Sequence, residues 1–140
     1  DNGIVFKDDN LTVEAFKVNH GEFEDAYGFR FTSEDKVIVF SGDTGPSKSL
    51  ESYAKDADIL VHEVYSYAGF LKKTKDWQIY HKGHHTSTYE VGEIASRAKP
   101  KLLVLSHILF WGTDEQDILE ETRTTFSGNI KIAEDLMVIK

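Results

Sequence analysis

Apolar and polar residues alternate from Leu11 to Val18, in the order Leu-Thr-Val-Glu-Ala-Phe-Lys-Val. A two-residue period predicts a half-buried strand. Ala26 to Phe31 alternates in the same way, and Glu34-Asp35-Lys36 predicts a hairpin turn before the next apolar run. There the pattern changes. Val37-Ile38-Val39-Phe40 is continuously apolar, as are Ile59-Leu60-Val61 and Leu102-Leu103-Val104-Leu105, and Ile130 to Ala133 is broken only by Lys131. Runs of this kind suit strands buried on both faces.

Helical stretches separate the runs. One spans Ser47 to Lys55. A second, Thr88 to Ala98, is opened by a Ser87-x-x-Glu90 capping box. A third is predicted to open at Thr113-x-x-Gln116 and close at Gly128. Strands alternating with helices predict an α/β layer. Leu136 to Ile139 predicts a short last strand. Tyr65 to His84 is the least regular stretch and predicts a long loop, a lid or insertion, with His81 and His84 as exposed loop residues.

The 140 residues amount to one domain and can bury a core. The net charge of −8 speaks against broad phosphate-backbone binding, which needs clustered cations. DNA and RNA are therefore not the expected partners. The absence of cysteine removes disulfides, thiolate nucleophiles and cysteine-based metal sites, and leaves the compartment open. No apolar run approaches the roughly 20 residues that span a bilayer. The chain starts at Asp1 with no initiating Met and no signal-peptide pattern, so a piece of a longer protein is expected.

Candidate chemistry gathers just after the apolar runs. Ser41-Gly42-Asp43-Thr44-Gly45 follows the first, His62-Glu63 the second and Ser106-His107 the third. In open α/β sheets the carboxyl ends of strands are where ligands bind. His84-His85-Thr86-Ser87 precedes a helix start, another common place for anions. Each residue has a plain structural role open to it: Asp43 as a turn residue, His107 as a strand-end histidine, Glu63 as a lysine's partner, His85 as a loop residue. Recurrence of a useful group at three strand ends favours a shared cleft. Imidazole and carboxylate are natural ligands of zinc and related ions.

Taken together, these segments resemble the metallo-β-lactamase-fold hydrolases. Val37-Ile38-Val39-Phe40-Ser41-Gly42-Asp43-Thr44 is similar to their SGDT segment, and Ala57 to Glu63 to the strand that follows it. His85-Thr86-Ser87-Thr88 resembles their downstream helix start, and Leu103-Val104-Leu105-Ser106-His107 their final ligand segment. The resemblance is greatest to the ribonuclease Z and arylsulfatase-like branch. It implies an α/β sandwich, with this chain as the C-terminal half of a four-layer αββα fold and a mixed sheet carrying helices on its outer face.

The same resemblance implies a site. Asp43 and His107 would be metal ligands in a dinuclear zinc centre, and His85, oriented by Glu63, would protonate the leaving group. His20 lies in a segment that lines the pocket in the family and is a candidate substrate contact, with a core or strand-end histidine as its plain structural role. The family's HxHxDH loop and one further ligand histidine have no counterpart here, so an N-terminal half supplying them is expected and the chain alone should be inactive. No basic Gly/Pro-rich arm for transfer RNA is present. With the acidic charge, this favours a small ester, sulfate ester or phosphodiester as substrate. Two other readings stay open: a non-catalytic α/β domain binding a partner or anion, and a truncated homologue that dimerises through its uncovered sheet face.

Overall fold

The computed structural model describes residues 2–139. Seven strands form one sheet in sequence order. They are β1 (Gly3–Lys7), β2 (Thr12–Lys17), β3 (Tyr27–Thr32), β4 (Val37–Phe40), β5 (Ile59–Tyr65), β6 (Leu102–Leu109) and β7 (Ile130–Ile132). The first four pair antiparallel and the last four parallel. The parallel half needs crossovers. These are α1 (Lys48–Tyr53) between β4 and β5, α2 (Tyr67–Leu71), α3 (Lys75–His84) and α4 (Thr88–Ala98) between β5 and β6, and α5 (Glu115–Arg123) between β6 and β7. The α/β layer is the one that the pattern predicts, and the mixed sheet with helices on one face is the one that the resemblance implies.

Alternation divides the side chains between two faces. Phe16, Val39, Leu60, Val64, Leu103 and Leu105 form one fully buried core with Leu50, Ile94 and Ile118 of the helices. Phe16 stacks on Tyr53 at 4.3 Å. On the opposite face the register sets Phe29 beside Phe40, and Phe40 beside Val61. Among the described residues no helix covers them, and Phe29 and Phe40 are 37% and 43% exposed.

The structure departs from the sequence reading in five places. Strand β1 was not expected. Tyr65 to His84 is not a loop: β5 runs on through Tyr65, and two helices follow. Helix α2 is too short to form alone; it is capped by Ser66 and by Glu121 of α5, whose carboxylate accepts from the N–H groups of Tyr67 and Ala68 at 2.9 Å each. His84 is accordingly buried, not exposed. Helix α5 opens one residue later than expected, on an Asp114–Asp117 capping box, and ends at Arg123 with Thr124 as its cap, so Gly128 belongs to the turn before β7. Leu136 to Ile139 forms no strand; Leu136 is fully exposed, because the chain leaves the sheet after Ala133 donates to Leu105 at 2.8 Å.

Candidate active site

The parallel strands end at one edge of the sheet, and the polar groups collect there. After β4 the chain turns sharply at Gly42, whose φ is +61°. A Cβ there would press on the Tyr27 carbonyl, so glycine is required. The turn brings Asp43 and Thr44 over the end of β5. Glu63, inside β5, points to the helix-free face, beside Ser106 of β6. After His107 the register between the two strands slips by one, so His107 is the extra residue of a β-bulge, with φ +43°. Bulges re-aim side chains. Here the bulge leaves His107 out of the pairing and half-exposed near Asp43.

Glu63 is the hub of the site. It is 1% exposed. Its Oε1 accepts from the Thr44 N–H at 2.8 Å and faces Nδ1 of His85 at 2.8 Å. Its Oε2 accepts from the Thr86 N–H at 3.4 Å. The segment carrying His85 is laid along the end of β5 by Tyr65, whose N–H donates to the Thr86 carbonyl at 2.9 Å, and by the Thr86 hydroxyl, which donates to the Thr44 carbonyl at 2.6 Å. His85 ends α3 and the Ser87 capping box starts α4, so both helices clamp it. Burial works against a charge on His85, but the Glu63 hydrogen bond and the charges of Glu63 and Asp43 outweigh it, and its pKa lies above the ordinary histidine value. Burial pushes the Glu63 carboxyl upward too, opposed by His85 and the two N–H groups. Both shifts favour keeping a proton on the pair.

Asp43 Oδ1 and His107 Nδ1 lie 3.6 Å apart, both about half exposed. Two donors on one tetrahedral zinc ion, each about 2.1 Å from it, stand about 3.4 Å apart. These two residues therefore fit a shared divalent ion in donor type and spacing. Donor atoms of Glu63, His85 and His107 also fall within 4.8 Å of one another. That spread is wider, and Glu63 already serves three donors, so its geometry suits orientation of His85 better than ligation. Two donors fall short of the three or four that protein zinc sites use.

His20 lies beside the pair. Its ring is 5.3 Å from that of His85, and its Nδ1 donates to the His84 carbonyl at 2.8 Å. All five candidate residues are thus at one end of the sheet. Several neighbours escaped the sequence reading. Thr44 and Thr86 hold Glu63, and no side-chain pattern signals a backbone donor. His81, Trp77 and Trp111 form an aromatic wall behind His85, with His81 5.6 Å from it, Trp77 3.7 Å from His81 and Trp111 5.0 Å from His81. The i, i+4 spacing of Trp77, His81 and His85 could have signalled this wall had the stretch been read as helix. A cavity of about 360 Å³ opens on the helix-free face between Phe29, Phe31, Phe40 and Val61 and reaches Glu63 and His107.

Residues 1–108 match the family model described as Beta-lactamase superfamily domain. The chain belongs to that family. Its curated relatives include ribonuclease Z of Archaeoglobus fulgidus, 38% identical over 106 residues, covering 75% of this chain and 32% of that protein. Ribonuclease Z of Mycobacterium tuberculosis is 30% identical over 142 residues, covering 96% of this chain and 50% of that protein. Among solved structures, the metallo-beta-lactamase fold protein YhfI from Bacillus subtilis superposes with a TM-score of 0.74 at 23% identity, over 92% of this chain and 48% of that one. Human tRNase Z, short form, superposes with a TM-score of 0.69 at 23% identity, over 99% of this chain and 45% of that one. Both likenesses concern the fold. The chain spans from a third to a half of the length of these relatives.

Proposed function

We propose that the chain is the C-terminal half of a metal-dependent phosphodiester hydrolase, with the remaining metal ligands supplied by an N-terminal half. The observation that carries this reading is the adjacency of two pairs at one sheet edge, Glu63–His85 and Asp43–His107. Asp43 and His107 would hold divalent metal, two zinc ions in the complete site. A metal so bound lowers the pKa of a coordinated water and polarises the ester oxygen. The work of this chain's residues is orientation and proton transfer. Glu63 keeps Nδ1 of His85 engaged, so Nε2 is the nitrogen free to give its proton to the leaving oxygen. His20 is a substrate contact beside it.

The expectation against RNA is revised here. The relatives named ribonuclease Z support a phosphodiester substrate, and RNA among its forms. The charge of −8 belongs to this chain and not to the whole protein. Sulfate and carboxylic esters are the other arms of the test. The uncovered face around Phe29 and Phe40 is assigned to packing against the N-terminal half, as sheet packs on sheet in a sandwich.

The test is turnover by the full-length protein, loaded with zinc, on bis(p-nitrophenyl) phosphate, p-nitrophenyl sulfate, p-nitrophenyl acetate and a precursor transfer RNA. Preference for the two phosphodiesters is the expected result. Preference for sulfate or acetate would overturn the substrate assignment, and no turnover on any of the four would overturn the reading.

A further inference from the structure

The turn after β2 is fastened to the end of α3 by residues that have no role in the chemistry above. His20 to Phe23 form a reverse turn, closed by the Phe23 N–H donating to the His20 carbonyl at 3.0 Å. Gly21 has φ +58° and Glu22 is not in the left-handed region, the pattern of a type II′ turn with glycine first. A Cβ on Gly21 would overlap the His84 imidazole, so the turn lies against that ring. From the same turn Glu22 reaches His84, with Oε2 2.6 Å from Nε2. The other ring nitrogen, Nδ1, donates to the Tyr80 carbonyl at 2.6 Å. Both nitrogens of His84 are thus engaged, and its side chain is 7% exposed. It has nothing left to offer a metal or substrate.

Its backbone has a second use. The His84 carbonyl accepts from Nδ1 of His20, which assigns that proton and leaves Nε2 as the free nitrogen of His20. The His20 ring then stands edge-on to His85, at 5.3 Å and 72°. Phe23 stacks on the His20 ring at 5.1 Å. Glu22 is 69% exposed, and an exposed ion pair adds little to stability. Its effect here is geometric.

We propose that Glu22 and His84 are positioning residues that strap the His20–Phe23 turn onto α3 and hold His20, in one tautomer, beside His85 as a second imidazole contact for the anionic group of the substrate. The proposal rests on the hydrolase reading of His85 for the substrate, but the strap itself is tested independently of turnover.

The experiment uses the full-length protein and the variants Glu22→Ala, Glu22→Gln, His20→Ala and Glu22→Ala with His20→Ala. Long-range ¹H–¹⁵N spectra of the histidine rings report tautomers, and kcat/KM is measured on bis(p-nitrophenyl) phosphate. His20 should be the Nδ1–H tautomer in the parent and in Glu22→Gln, which keeps an acceptor for His84, and should lose that preference in Glu22→Ala. On the order of tenfold should be lost from kcat/KM in Glu22→Ala, less than the roughly 10²-fold that a full 1 Å misplacement can cost. Added to His20→Ala, the same substitution should cost less than about twofold, because coupled residues are not additive. An unchanged His20 tautomer in Glu22→Ala would overturn the strap. Equal losses with and without His20 would overturn action through His20. If the parent turns over nothing, the hydrolase reading fails while the tautomer spectra still decide the strap.

Discussion

Nδ1 of His85 lies 2.8 Å from Oε1 of Glu63, a carboxylate that is itself fixed by the Thr44 N–H. The orientation of His85 is thus supplied by a carboxylate hydrogen bond. His85→Ala in the full-length protein should therefore lower kcat by about 10²–10⁴-fold, the usual contribution of a positioned proton donor, and leave metal content unchanged. Glu63→Gln should also lower kcat, by less, since it retains a hydrogen-bonding group but loses the charge that raises His85. Metal per protein by mass spectrometry, beside kcat, checks both. Metal lost in step with activity in His85→Ala would make His85 a ligand instead.

Much of this site is legible in the sequence because parallel strands carry their chemistry at their ends. Asp43 and Glu63 follow or close apolar runs, and His85 precedes a capping box that the structure retains. What local patterns cannot carry is tertiary. The His107 bulge is a mismatch between two strands and exists only when they pair. Helix α2 depends on Glu121, more than fifty residues downstream. Glu22 and His84 look like two ordinary polar residues until the turn meets α3. Leu136 to Ile139 has strand composition but no neighbouring strand among the described residues.

His62 makes stability depend on acid. It is fully buried on the helix side of β5, with Nδ1 2.7 Å from the Glu63 carbonyl and Nε2 without a partner among the described residues. Burial lowers its pKa from 6.5 to about 4. The unfolded chain then binds a proton that the folded chain refuses, so this contribution is intact above pH 6.5 and is lost as pH falls towards 4. Between pH 7 and pH 5 it should amount to about 2 kcal/mol. Urea unfolding at both pH values, for the parent and for His62→Leu, isolates it, because other titrating groups cancel in the difference. An equal pH dependence in the two proteins would show that His62 binds its proton equally in the folded and the unfolded chain.

The helix-free sheet face predicts association. Phe29 and Phe40 are paired in register and partly exposed beside Val61, and apolar surface left in water costs about 25 cal/mol per Å². Residues 1–140 alone should sediment as a dimer or larger at micromolar concentration. The double substitution Phe29→Ser with Phe40→Ser should shift the chain towards monomer. A monomeric parent would mean that the face needs no cover.

Asp43 and His107, 3.6 Å apart, are proposed to share a divalent metal. Metal affinity depends on ligand number and geometry, so each ligand should matter separately. The direct measurement is zinc bound per molecule of full-length protein after dialysis against buffered zinc, for the parent, Asp43→Ala, His107→Ala and His85→Ala. About two zinc ions are expected in the parent and in His85→Ala, and a clear loss in Asp43→Ala and His107→Ala. Undiminished zinc in both Asp43→Ala and His107→Ala would contradict the shared metal.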